Sequence, residues 1–334
     1  MTDTRSDAPS LTERTRTVTA GAPVVAAAFL RDTAAFVLGE NAVLLVADSG
    51  EEERVPAHGG AILCAASDGA QVITGGDDGR VMATDGRGAT NLIAADAEHR
   101  WIDHVAVGPS GAIAWSAGKE TFVRSRKGEE RSLAVASTVG GLAFAPKGLR
   151  VAIAHYNGVT LWFPNAQAAP EMLEWKGYHA GVTISPNGRF LVSAMQEPAL
   201  HGWRLADGKH MRMTGYAAKV HAMDWSADGE DLATSGADHL VLWPFRGKDG
   251  PMGKGPRLLA PTNQRVCAVA CHPKEAVAAT GYENGMALLI RLDDGAELVA
   301  KHPGGGAVTA LAWNKTGTRL AFGTEEGEAG LIVL

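Results

Sequence analysis

Eight copies of one strand–turn–strand pattern, recurring at about 40 residues, and Gly-centred turn pairs between apolar runs too short for helices predict an all-β fold. The architecture expected is a single β-propeller of eight blades, each of four antiparallel strands, with seven as the alternative if one copy is degenerate. In order, the copies read VVAAAFLRDTAAFVLG, ILCAASDGAQVITGG, HVAVGPSGAIAWSAG, GLAFAPKGLRVAIAH, GVTISPNGRFLVSAM, AMDWSADGEDLATSG, AVACHPKEAVAATGY and ALAWNKTGTRLAFGT. Their turns centre on Thr33, Gly69, Gly111, Gly148, Gly188, Gly229, Glu275 and Gly317, so successive separations are 36, 42, 37, 40, 41, 46 and 42.

Each element follows from this phase. The pairs Asp68-Gly69, Asn187-Gly188 and Asp228-Gly229 suit hairpins, because Gly adopts positive φ freely and Asn or Asp tolerate it. A third apolar strand follows each hairpin, as in VTLWFP at 159–164, LHGWRL at 200–205 and LVLWPF at 240–245. A more polar fourth strand then usually completes the repeat. The last copy ends in EAGLIVL, which supplies only a third strand, while LTERTRTVTA at 11–20 has strand character and no repeat of its own. Residues 11–20 are therefore expected to complete the last blade and close the ring, removing edges that invite aggregation. Residues 1–10 are polar and expected to be disordered, leaving 11–334 as one domain. GKDGPMGKGP at 247–256 reads as a longer loop within the sixth repeat.

Composition narrows the function. A formal net charge of −6, from 37 acidic against 31 basic residues, argues against nucleic acid and anionic membranes as partners. Cys64, Cys267 and Cys271 cannot all pair within one chain, and they sit in apolar runs, which suggests a reducing, cytoplasmic setting. Cys267 and Cys271 beside His272 do not make a zinc site, since residues four apart on a strand stand about 13 Å apart. No apolar run reaches the roughly 18 residues needed to span a bilayer.

These features together resemble the WD40 repeat family over nearly the whole chain, from about Val24 to Leu334. The most similar copy is AMDWSADGEDLATSGADHLVLW at 222–243, with its apolar strand, Asp-Gly turn, Ala-Thr-Ser-Gly second strand and third strand ending in Trp. Trp162, Trp203 and Trp243 stand where that family carries the Trp of its signature dipeptide, but Phe163, Arg204 and Pro244 replace its Asp. Gly215-Tyr216 takes the place of the family's Gly-His. The resemblance thus implies the propeller and not the full His–Ser–Asp–Trp side-chain network.

No G-x-S-x-G, HExxH or phosphate-loop motif is present, and GGGAV at 304–308 leads into a strand with no following Lys. The function expected is non-catalytic: a protein–protein interaction scaffold, a monomer by itself, with no cofactor and no metal. The resemblance implies partner binding by loops on the top face of the propeller. The candidates there are Arg100, Trp101, Tyr156, Tyr178, Tyr216, Lys219, His239, Arg265, Tyr282 and Glu283, types that supply buried area and directional polar contacts at binding hot spots. The alternatives are a small-ligand or zinc-binding propeller using His99, His179 and His221, and a metal-dependent hydrolase or lactonase.

Overall fold

The computed structural model describes residues 10–334, so residues 1–9 of the expected disordered tail lie outside the described residues. Strand β1 (Thr15–Thr19) comes first, and β2 (Val24–Leu30), β3 (Thr33–Leu38), β4 (Ala42–Val46) and β5 (Glu52–Pro56) form the first four-stranded sheet. The second holds β6 (Ile62–Ser67), β7 (Gln71–Gly76), β8 (Arg80–Asp85) and β9 (Thr90–Ala95). The third holds β10 (Ile102–Val107), β11 (Ile113–Ala117), β12 (Glu120–Arg124) and β13 (Glu130–Ala134). A six-stranded sheet follows, made of β14 (Gly141–Phe144), β15 (Val151–Trp162), β16 (Glu171–Ile184), β17 (Phe190–Met195), β18 (Leu200–Arg204) and β19 (His210–Met213). Next come β20 (Met223–Trp225), β21 (Asp231–Thr234), β22 (Leu240–Pro244) and β23 (Arg257–Leu259), then β24 (Val266–Cys271), β25 (Val277–Tyr282), β26 (Ala287–Arg291) and β27 (Glu297–Lys301). Last are β28 (Val308–Trp313), β29 (Arg319–Thr324) and β30 (Glu328–Val333), which share a sheet with β1.

The fold is all-β, a β-propeller of four-stranded antiparallel blades. Blade number corrects the sequence reading: among the described residues the strands make seven hydrogen-bonded sheets, one of them six-stranded, where eight were expected. The fourth and fifth repeats share one sheet because β15 and β16 each run on where a break was expected. Within β15, His155 Nε2 lies 2.8 Å from Thr160 Oγ1. Residues five apart on an extended strand would be about 17 Å apart, so the chain folds back at Asn157 (φ 69°) and Gly158 (φ 144°). That reversal makes β15 a tight hairpin, and β16, which pairs with β15 through Glu171 to Tyr178 and with β17 through His179 to Ile184, links both repeats into one sheet.

The chain divides into two compact units. One contains the residues up to Gly39, Leu44–Glu53 and Tyr216–Leu334; the other contains Glu40–Val43 and Arg54–Gly215. In the first unit β1 lies antiparallel to β30, from Thr15↔Ile332 to Thr19↔Glu328. Its Val18 is 2% exposed, so the strand is seated on the core rather than only on the sheet edge. Apolar clusters fill the gaps between consecutive sheets. Leu242, Tyr282, Leu288 and Ile290 occupy one, and Leu289, Leu320, Phe322 and Ile332 the next. In the second unit Ile73, Val81, Ile102 and Trp115 form one cluster, Val123, Ile153 and Trp162 another, and Leu161, Leu191 and Trp203 a third.

Close packing explains the glycines that end several second strands. A Cβ on Gly75, Gly281 or Gly323 would collide with Ile102, Val308 or Val24 respectively, each near the start of the next sheet's first strand. The first strands share a second feature, a register shift near their start, at Val24/Ala26, Ile62/Cys64, Ile102/His104, His179/Gly181, Val266/Ala268 and Val308/Ala310. Such bulges bend a strand and redirect the chain leading into it. They set the loops on which the candidate residues sit.

Candidate functional site

The lead-in loops are fastened by polar side chains of their own repeat. His58 Nε2 lies 2.8 Å from Thr74 Oγ1 and its Nδ1 lies 3.0 Å from Asp78 Oδ1, while the Gly59 N–H donates to Asp78 Oδ2 at 2.9 Å. Those N–H donors and the His58 ring hold the Asp78 carboxyl below the usual carboxylate range despite burial, which raises it. His179 Nδ1 lies 2.7 Å from Ser193 Oγ. At the equivalent place Tyr216 Oη accepts from Trp243 Nε1 at 2.7 Å and lies 2.8 Å from Thr234 Oγ1. A phenol here does the work that imidazole does in the other two repeats.

Two candidates are therefore corrected. Tyr216 is 9% exposed and engaged twice, and Tyr282 is 0% exposed, with the Thr280 hydroxyl donating to its Oη at 3.3 Å. Both rings are buried within their sheets and unavailable to a partner. Spacing could have revealed Tyr216, which precedes Thr234 by 18 residues much as His58 precedes Thr74 by 16.

In the first unit, Lys219, Arg265 and Glu283 come together around an open hollow of about 750 Å³ that His221, Cys267 and Glu325 also line. Arg265 forms an ion pair with Glu283 at 2.9 Å, and its backbone N–H donates to the same carboxylate at 3.2 Å. Glu325 repeats the arrangement one sheet on, accepting the Ala307 N–H at 2.9 Å. These acids clamp loops, whereas Glu283 was expected only as a contact for a partner. Lys219 is exposed. His239 is apart from this hollow, with Nδ1 2.6 Å from Asp238 Oδ1.

In the second unit, Trp101 and Tyr156 are 61% and 53% exposed; Trp101 lies in a loop as expected, whereas Tyr156 lies within β15, opposite Tyr178. Arg100 does not present a free guanidinium. It binds Asp96 at 2.7 Å and Glu120 at 3.2 Å, and hydrogen bonding to Arg100 holds the Asp96 carboxyl below its ordinary value. Tyr178 is half-buried, its Oη 3.5 Å from the Val139 carbonyl, and desolvation pushes its pKa up. Burial likewise raises Asp103 and lowers His104 on the neighbouring first strand.

Burial raises all three thiols, Cys64 to about 12, so none is poised as a thiolate. Among the described residues no three His, Cys, Asp or Glu side chains form a group that could hold a metal ion. No helix of the described residues is long and apolar enough to cross a membrane.

No protein-family model and no curated protein matches the sequence. A solved structure does. The crystal structure of the computationally designed Ika8 protein matches with a TM-score of 0.78 over 95% of this chain and 98% of that one. At 16% identity the likeness shows the fold alone.

Proposed function

We propose that this chain is a WD40-like, non-catalytic interaction platform of the cytoplasm that binds a protein or peptide through its lead-in loops. The hollow bearing Lys219, Arg265 and Glu283 carries this reading. It joins an exposed ammonium to a preformed Arg–Glu pair on loops clamped by backbone hydrogen bonds, so little ordering would be lost on binding. Trp101 and Tyr156 add exposed aromatic area of the kind that dominates binding hot spots. The blade-internal pairs His58–Thr74, His179–Ser193 and Tyr216–Thr234 support the WD40 resemblance, since they resemble part of that family's side-chain network. The zinc-binding alternative lacks a comparable observation in its favour.

The test is affinity purification of the tagged chain from its native cells, comparing wild type with Lys219→Glu and Trp101→Ala by mass spectrometry. Both positions are exposed, so the variants should melt with the wild type. A near-stoichiometric partner retained by wild type and lost from at least one variant is the expected result. Absence of any such partner, or its equal recovery with both variants, overturns the reading.

A further inference from the structure

Three repeats of this chain fasten the loop leading into them with a ring seated on a hydroxyl inside the sheet. His58 lies 16 residues before Thr74, His179 lies 14 before Ser193, and Tyr216 lies 18 before Thr234. The third repeat has the hydroxyl and lacks the ring. Ser116 on β11 and Thr121, opposite it on β12, are both 0% exposed, and neither hydroxyl has a hydrogen-bond partner. Buried hydroxyls are paired as a rule, since an unmade bond there leaves the loss of water unrelieved.

Arg100 explains the gap. It stands 16 residues before Ser116 and 20 before Glu120, the spacings of His58 to Thr74 and to Asp78. Its guanidinium makes only the outer of those two contacts, to Glu120 at 3.2 Å, and otherwise turns to Asp96 at 2.7 Å and Glu98 at 3.7 Å. A guanidinium stays charged, so burying it against a lone hydroxyl is costly. Asp96 also accepts the backbone N–H groups of Glu98 and Arg100, each at 3.0 Å. The loop from Asp96 to Trp101, between β9 and β10, is thereby held outward.

A ring of the right kind is one residue away. His99 lies 17 residues before Ser116, inside the range of 14 to 18 that the seated rings span. It is exposed, with φ 55°, a left-handed backbone conformation that is uncommon outside glycine. Space also differs between the repeats. A Cβ on Gly76, two residues past Thr74, would collide with the His58 ring, whereas one on Gly118, two residues past Ser116, would meet nothing within 4 Å.

We propose that the 96–101 loop is a strap with two positions, and that seating His99 on Ser116 draws Trp101 off the surface. This regulation rests on the proposed role of Trp101 as a partner contact. In the observed position Asp96 and Glu120 hold Arg100, and Trp101 stands 61% exposed. In the other position the Arg100 contacts break and the imidazole pairs with the buried hydroxyl. Ile102 stays in register with Ala117, so the residues just before it take up the movement. A partner that grips Trp101 selects the outward position.

Fluorine NMR of the full chain labelled with 5-fluorotryptophan tests the strap without a partner. Of the eight tryptophan signals, that of Trp101 is the one lost in Trp101→Phe. Arg100→Gln and Glu120→Gln each loosen the clamp at the surface. At least one of them should show a second Trp101 signal, insensitive to exchange of H2O for D2O, with about a tenth of the intensity or more. Adding His99→Ala or Ser116→Ala to that variant should abolish it. A single solvent-exposed Trp101 signal in both clamp variants, or a protected one that survives either addition, overturns the proposal. Partner capture reads the proposed function separately, so a strap that does not move leaves the platform standing.

Discussion

Replacing His201 by Phe should flatten the acid side of the protein's stability curve. The imidazole is 0% exposed and stacks on Trp175 at 4.0 Å and 15°, with Trp203 edge-on at 4.6 Å and His210 at 5.2 Å. Neither ring nitrogen has a hydrogen-bond partner. Burial, and then the nearby His210, His179 and Arg212, push its pKa from 6.5 down to about 3. Because the folded value lies below the unfolded one, the unfolded chain takes up the proton first as pH falls. Stability is therefore whole above about pH 6.5 and is lost on going toward pH 3, at up to about 1.4 kcal/mol per pH unit. Solvent screening trims this, so about 1.5–2 kcal/mol should be lost between pH 6.5 and 4.5.

Phe keeps the stack and cannot titrate. At pH 7.5 the relief of two unpaired buried nitrogens, about 1–3 kcal/mol each, exceeds the crowding from the larger ring, about 1–3 kcal/mol, so the variant should be the more stable by about 2 kcal/mol. Urea unfolding at several pH values from 7.5 to 4.5 gives the difference curve, in which His104, His155 and His179 cancel because both proteins contain them. A difference that stays flat from pH 6.5 to 4.5 refutes the argument.

Deleting residues 1–20 removes β1 with the buried Val18 and bares the edge of β30. A loss of about 4 kcal/mol, seen as a melting temperature lower by about 8 °C or more, is expected; an unchanged melt would show that the strand contributes nothing. Tyr216→Phe strips Trp243 Nε1 of its acceptor and Thr234 of one partner, which should cost about 2–3 kcal/mol in urea unfolding. Partner recovery by that variant should match wild type, because the phenol is inside the sheet.

Strand positions were legible in the sequence because they depend on local terms. Asp68-Gly69 and Asn187-Gly188 announce tight turns through the backbone angles they tolerate, and alternating apolar runs announce strands between packed faces. The all-β blades follow from those terms alone. Joining of the fourth and fifth repeats was not legible, since it depends on β16 pairing with β15 along one part of its length and with β17 along the other.

The candidate surface was legible only in part. Trp101, Tyr156 and Lys219 are exposed as expected, yet Tyr216 and Tyr282 occupy similar positions in their repeats and are buried. Exposure there turns on whether a nearby hydroxyl, that of Thr234 on β21 or of Thr280 on the tyrosine's own strand, meets the phenol inside the sheet. Likewise Glu283 and Arg265 are 18 residues apart, and only the packed loops make them a pair. What the sequence determined by itself was the local alternation of strand and turn. What tertiary structure decided was which polar side chains were drawn inward, because burial requires a partner and partners come from distant parts of the chain.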